Sequence, residues 1–248
     1  MSPLEALAIA GVGLVAGTVN TVVGSGSLVT FPTLLAFGYP AVLANVTNTV
    51  GLVPGSASGV VAYRSELSGQ ARRLLVLGIA STLGGVTGAV LLLALPHHVF
   101  RAVVPVLILV ACALVVAQPA LARRLAGREH RPHGGAGLFA TVYVSGVYGG
   151  YFGAAQGVIL MALLGVFLVD DLQRLNAAKN VLALLVNAVA ALFFVAATHV
   201  AWSAAGFLAV GAVVGGQIGG VVGRRLPPAV LRAVIVAVGV TAAVVLLA

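Results

Sequence analysis

The sequence predicts an all-α polytopic membrane protein of two inverted repeats, each a re-entrant helical hairpin plus three transmembrane helices. Three observations predict it: an apolar composition, charges confined to short connections, and an internal repeat. Hydrophobic residues make up 61% of the 248 residues and charged residues 7%, against about 45–50% and about 25% in soluble domains. So few charges cannot cover a water-facing surface, which excludes a soluble globular protein, and so much apolar content excludes disorder. The 32 glycines suit membrane helices that pack closely. The net charge of +8 would suggest nucleic acid in a soluble protein. Here the basic residues lie between apolar runs, so they read as topology signals and contacts with anionic lipid. The bilayer is the expected surrounding, with no nucleic acid. Cys112 is the single cysteine, which allows no internal disulfide and no cysteine metal cluster. The opening Met-Ser-Pro-Leu-Glu has no basic region, so no cleaved signal peptide is expected.

The elements follow from the spaces between charges. Six apolar stretches, near 41–63, 74–95, 99–121, 177–197, 203–223 and 229–248, each have the length of one crossing, about 20 residues. Two others do not fit one crossing. They run over 4–37 and 138–169, too long for one span and too short for two with a turn. Each is broken by glycine-rich polar sequence, Gly24-Ser25-Gly26-Ser27 in the first and Gly149 to Gly157 in the second. Glycine is costly inside a helix and readily takes positive φ. Each stretch therefore reads as two short helices joined by a tight loop, a re-entrant hairpin. Irregular backbone at membrane depth survives only where protein or a water-filled cavity satisfies it.

Charge placement tests this threading. If eight segments alternate, the basic residues divide seven to six and give no orientation. If both hairpins return to their starting side, the connections 64–73, 123–131, 170–179 and 224–232 share one side with twelve of the thirteen Lys and Arg, leaving Arg101 opposite. That bias is what cytoplasmic loops show. The expectation is a multi-pass protein of the cell inner (cytoplasmic) membrane, with both termini non-cytoplasmic.

The repeat is visible in the second half of each unit. Gly84-Gly85, Gly88, Pro96 and Val99 to Val103 recur as Gly215-Gly216, Gly219, Pro227 and Val230 to Val234, a constant shift of 131 residues. Earlier, Gly17 and Gly24 correspond to Gly146 and Gly153, and Asn48 is paired with Asn180 after a small loop adjustment. The repeats are 1–126 and 136–248, joined by a polar cytoplasmic linker, 127–135. Three crossings per repeat is odd, so the second enters the membrane inverted. Inverted repeats with broken helices mark secondary transporters, whose sites lie near the midplane between the repeats.

The residues of both repeats resemble one known family. Ala16-Gly17-Thr18-Val19-Asn20, Gly24-Ser25-Gly26-Ser27-Leu28, Pro32, Gly38 and Ala44-Asn45-Val46-Thr47-Asn48 are similar to the signature of the TauE/SafE sulfite exporter family. Gly146, Gly149, Gly153 and Gly157, Ala177-Ala178-Lys179-Asn180, Asn187 and Ala190-Ala191-Leu192 follow its second copy. The resemblance covers nearly the whole chain. The chain departs at Ala154-Ala155-Gln156, where that family carries more glycine, and it lacks a second proline after the second hairpin. The resemblance implies a permease for small sulfur-containing anions: sulfite, sulfonates such as sulfoacetate, or related species.

Nine residues are the candidate substrate site: Asn20, Ser25, Ser27, Thr47, Asn48, Gln156, Lys179, Asn180 and Asn187. Thr47, Asn48, Lys179 and Asn180 are expected where the helices after the hairpins begin, where side-chain donors and free N–H groups favour anions. Structural alternatives are capping and interhelical hydrogen bonds for the asparagines. Lys179 is the sharpest, as an ionisable residue near a helix interior; the alternative is an interfacial lysine snorkelling among Asp170, Asp171 and Arg174. Ser25, Ser27 and Gln156 fall at the hairpin tips, where backbone N–H groups can form an anion nest. Asn20 and Asn187 read equally as polar glue between helices.

His97, His98 and His199 fall at the expected outer face and His130 and His133 in the linker, so no metal and no cofactor is expected. Gly211, Gly215, Gly219 and Gly223 form a packing or sliding face on one helix, and such faces permit a homodimer without requiring one. Arg101 and Arg232 read as anchors. No Asp or Glu lies within a predicted span. An enzyme is not expected, because no His/Glu cluster, paired intramembrane carboxylates or cysteine nucleophile is present. The leading function is a carrier working by alternating access. The alternatives are an anion channel of the same architecture and a membrane assembly factor.

Overall fold

The computed structural model describes residues 1–125, 135–168 and 170–222, with residues 233, 237, 240 and 244 beyond them. Most of the linker, with His130 and His133, lies outside the described residues. So do Gly223, Arg224, Arg225, Arg232 and nearly all of the span expected at 229–248, and the side chains of His97, His98 and Arg101. The described chain is all-helical: α1 Pro3–Val22, α2 Ser27–Ala36, α3 Ala41–Ala62, a 3₁₀ turn Arg64–Leu67, α4 Ala71–Ala94, α5 His97–Leu125, α6 Gly135–Tyr151, α7 Gln156–Phe167, α8 Leu172–Ala197 and α9 Trp202–Val222.

Local chemistry accounts for the ends that matter. Ser2 caps α1 with a reciprocal Glu5 bond, and Pro3 opens the helix without wasting a donor. Pro40 precedes α3, and Asp171 caps α8 by accepting from the Gln173 N–H at 2.8 Å. That cap starts α8 at Leu172, five residues before the expected boundary. Lys179, counted among the loop charges, therefore lies inside the helix.

Four described helices are long and apolar enough to cross a membrane: α1, α4, α8 and α9. The two long stretches are each broken as expected, but unequally. α1 has 20 residues and reaches spanning length alone, whereas α2 has 10 and α7 has 12. At 1.5 Å per residue, α2 covers roughly half a hydrocarbon core.

The helices exchange partners between the halves. α1 packs along α9, α4 along α6, α3 against α9 and α8, and α8 against α4. Glycine permits the first two. A Cβ at Gly211 or Gly215 would collide with backbone of α1 at Ala10 or Leu14, and one at Gly84 or Gly88 with backbone of α6 at Tyr143 or Val147. Among the described residues, Gly211, Gly215 and Gly219 of the expected packing face pack on α1 within the chain. Leu77, Leu138, Leu160, Leu164 and Leu182 knit α4, α6, α7 and α8. Phe31, Phe100 and Phe152 meet edge to face, joining α2 and α5 to the turn after α6. Leu7, Leu75, Ile79, Leu192 and Val210 project outward, as lipid solvation allows.

At one end of the bundle, Asp170 accepts from Arg73 at 2.5 Å and from Arg174 at 2.8 Å. Arg174 also donates to the Ser68 carbonyl at 3.0 Å. The connections 64–73 and 170–174 are therefore at the same end. Burial alone would raise the Asp170 carboxyl, but hydrogen bonds from Arg73, the Asp171 N–H and Arg174 outweigh it and hold it below the usual carboxylate range.

Candidate functional site

The two breaks are built alike. Val23 and Gly24 N–H groups both return to the Val19 carbonyl, at 2.7 and 3.1 Å. Phe152 and Gly153 return to the Tyr148 carbonyl, at 2.9 and 3.1 Å. This closure consumes the last carbonyls of a helix and needs left-handed backbone just beyond it. Gly24 and Gly153 supply it, with φ of +85° and +76°. Ala155 also sits left-handed, at φ +57°, which an L side chain adopts at a cost. It lies in the Ala154-Ala155-Gln156 departure from the glycine-richer family pattern.

The breaks then meet each other. The Gly157 N–H donates to the Gly24 carbonyl at 3.0 Å, and a Cβ on either glycine would collide with the other's Cα. Ser25 and Gln156 flank this contact by one residue each. They are 1% and 3% exposed, and Ser25 Oγ and Gln156 Nε2 have no hydrogen-bond partner among the described residues. A buried polar atom left unpaired costs about 1–3 kcal/mol. Two such atoms beside one backbone contact leave donors free for a ligand.

The helices after the breaks supply the remaining polar groups. α3 and α8 begin 131 residues apart, as do α4 and α9. In that register Asn48 lies opposite Lys179, and Asn45 opposite Asn176. The expected pairing of Asn48 with Asn180 differs from that register by one residue. The expected place at helix starts is also corrected. Asn48 and Lys179 are each the eighth residue of their helix, so the N–H groups there are already engaged in the helix. Their side chains, not free helix-start amides, are what they offer.

The two positions have different partners. Asn48 donates to Ser27 Oγ at 3.1 Å and accepts from the Thr30 hydroxyl, closing a neutral triangle between α2 and α3. Lys179 is 1% exposed, and Nζ donates to the Asn20 and Thr21 carbonyls, each at 3.3 Å. Asn176 and Asn180 also donate to the Thr21 carbonyl, each at 3.3 Å. Lys179 does not snorkel among Asp170, Asp171 and Arg174. It points into the last turn of α1, where the partial negative charge of a helix C-terminus favours a cation. It makes no ion pair among the described residues, and it is the one charged residue among them that is buried.

Symmetric contacts cross between the halves. Asn176 on α8 reaches the end of α1, and Asn45 on α3 donates to the Tyr151 carbonyl at the end of α6, at 3.1 Å. The other expected residues divide. The Asn20 amide is committed to Ser56 at 3.3 Å, while its carbonyl serves Lys179. Thr47 accepts from the Ala201 N–H at 3.1 Å, pinning the turn into α9 and not joining the cluster. Asn187 is half-buried farther along α8 and joins no hydrogen bond among the described residues. Thr30, Asn45 and Asn176 were not foreseen as site residues. Carrying the 131-residue shift into α3 and α8 would have aligned the last two. No group of three His, Cys, Asp or Glu side chains converges among the described residues.

Comparisons with known proteins agree with the resemblance. The family described as "Sulfite exporter TauE/SafE" matches residues 9–246. A "Probable membrane transporter protein" of Haemophilus influenzae is 26% identical over 82% of this chain and 79% of its own length. The "Probable membrane transporter protein YfcA" of Escherichia coli K12 is 26% identical over 87% of this chain and 79% of its own length. A "Probable membrane transporter protein ORF9" of Sinorhizobium sp is 31% identical over 40% of this chain and 38% of its own length. No solved structure matches the chain. These relatives are named as transporters rather than enzymes. With its several apolar helices of spanning length and a match over nearly its whole length, this chain is a multi-pass membrane protein and belongs to the TauE/SafE sulfite exporter family.

Proposed function

We propose that the chain is a secondary transporter for small sulfur-containing anions: sulfite, sulfoacetate or related organosulfonates. It works by alternating access at a site between two inverted repeats in the cytoplasmic membrane. The carrying observation is Lys179: a buried basic residue without a carboxylate partner among the described residues, held at the end of one broken helix. The unpaired Ser25 and Gln156 beside the touching breaks add neutral donors. A lysine ammonium and hydroxyl and amide donors suit three sulfonate oxygens.

The inverted-repeat reading is supported by the exchange of partners between α1·α9 and α4·α6 and by the paired Asn45 and Asn176 contacts. In this reading the two short halves α2 and α7 are the inner arms of re-entrant hairpins. The shared end of 64–73 and 170–174 fits a cytoplasmic face rich in basic residues, with the termini opposite.

The test is thermal stabilisation of the purified protein by sulfite, sulfate, thiosulfate, taurine, sulfoacetate, acetate and chloride. A ligand bound to the folded form raises the unfolding temperature by mass action. Selective stabilisation by a sulfur anion, lost in Lys179→Ala and Asn48→Ala, is expected. Stabilisation by no sulfur anion would sink the substrate assignment. Voltage-driven flux that fails to saturate would turn the carrier into a channel.

A further inference from the structure

The mechanism of an anion carrier leaves one question that the geometry answers: what neutralises Lys179 when no anion is bound. Its ammonium lies eight residues into a 26-residue helix, about 10 Å along the axis. No aqueous surface is within its reach, since it is 1% exposed. Its two acceptors are carbonyls, which orient a proton but carry no full charge. An isolated buried charge is too expensive to keep; such a group gives up its proton instead.

Among the described residues, the surroundings supply no substitute charge. α3 and α7 carry no titratable side chain, and α4 offers Arg72 and Arg73. α6 offers Tyr143, Tyr148 and Tyr151; the first two phenols are engaged with Thr87 at 3.1 Å and with the Ala154 carbonyl at 2.6 Å. The 3₁₀ turn carries Arg64 and Glu66, and α1 carries Glu5 in its first turn, at the far end from Asn20 and Thr21. On its own element Arg174 is nearest, and it is tied to Asp170. Asp171 caps the helix.

We propose that Lys179 carries the coupling proton: the anion binds only with a proton on Nζ, and both leave together. This rests on the anion-carrier reading. The loaded site holds R–SO₃⁻ and –NH₃⁺, net neutral, and the empty site holds –NH₂, also neutral. Each turnover moves one proton with one monovalent anion, taken from the water of one side and released to the other. No carboxylate relay is needed.

The experiment uses proteoliposomes of the full chain with an internal pH dye and the membrane potential clamped at zero. The coupling probe is methanesulfonate, a monovalent anion whose sulfonate does not titrate near neutral pH, so any proton moved is the protein's; sulfoacetate, a dianion, is a second probe of uptake alone. Uptake should acidify the lumen, with one proton per methanesulfonate. Lys179→Arg keeps the charge permanently. It should retain exchange of bound anion between the two sides but lose net uptake at least tenfold, since its empty form cannot return. Lys179→Gln should lose both. Uptake by the parent protein without acidification, or full net uptake by Lys179→Arg, overturns the coupling proposal and leaves the carrier standing. If neither these probes nor sulfite, sulfate or thiosulfate enters, the anion-carrier reading falls and this proposal with it.

Discussion

Asn48 and Lys179 are each the eighth residue of their helices, α3 and α8, yet they resolve the burial of polarity in opposite ways. Asn48 is neutral and closed: both ends of its amide are met by Ser27 and Thr30, from the short helix next to it in sequence. Lys179 is ionisable and open: it reaches across to α1 of the other half and, among the described residues, finds carbonyls only. A satisfied neutral triangle contributes rigidity. A buried amine with no ion partner contributes little to stability. Both sets of contacts fall on the first break: Asn48 braces the helix that leaves it, α2, and Lys179 is held at the end of the helix that enters it, α1.

The comparison can be broken at its shared point of contact. Gly24→Ala forces a methyl into left-handed backbone and into the Gly157 Cα. The expected loss is about 3 kcal/mol or more, from strain plus overpacking. Gly157→Ala should be comparably costly, because the clash is mutual. Unfolding of the purified variants in a denaturing detergent series would check both, and a parent-like transition for either would mean the breaks do not touch.

The two positions themselves should then separate. Asn48→Ala leaves the buried Ser27 and Thr30 hydroxyls without their partner and should cost about 2 kcal/mol. Lys179→Met should leave stability unchanged or raise it, because a flexible apolar side chain of similar length replaces a buried amine that has no ion partner among the described residues. Equal destabilisation by both would erase the contrast drawn between them.

The smallest effect lies at the end of the bundle, away from both positions. Asp170 is held below its usual range in the folded state, so its contribution is present above the unfolded carboxyl value, about 3.9. It is lost as pH falls through the lower folded value. About 1 kcal/mol should disappear in that acid window, and Asp170→Asn should flatten the curve there. Stability that falls instead on raising the pH through 4 would contradict the Arg73–Asp170–Arg174 arrangement.

Much of the fold is legible because its causes are local. Gly24 and Gly153 announce breaks since few other residues tolerate their φ, and the long uncharged runs announce crossings because lipid excludes charge. Gly211 and Gly215 are read as a packing face from spacing alone, and they pack on α1. The site is only partly legible. Thr47 carries the same chemistry as Thr30, yet it serves a turn 154 residues away while Thr30 serves Asn48. Asn187 and Asn176 are alike in sequence, and only Asn176 faces the end of α1. Pattern cannot rank such residues, because their roles depend on which helix end lies opposite. The crossing expected from 177 begins at Leu172 because the Asp171 cap went unnoticed.

The class of the molecule and the place of its breaks were legible in the sequence alone, because hydropathy and glycine stereochemistry act over a few residues; Lys179 was expected at a helix start or at the interface, and the Asp171 cap puts it inside α8. Only the tertiary structure decided that the breaks touch at Gly24 and Gly157, that Lys179 is held by Asn20 and Thr21, and that Asn48 is already satisfied. Those are contacts between segments more than a hundred residues apart, or between side chains whose geometry depends on packing. Nothing in a linear pattern carries the direction in which a buried donor points.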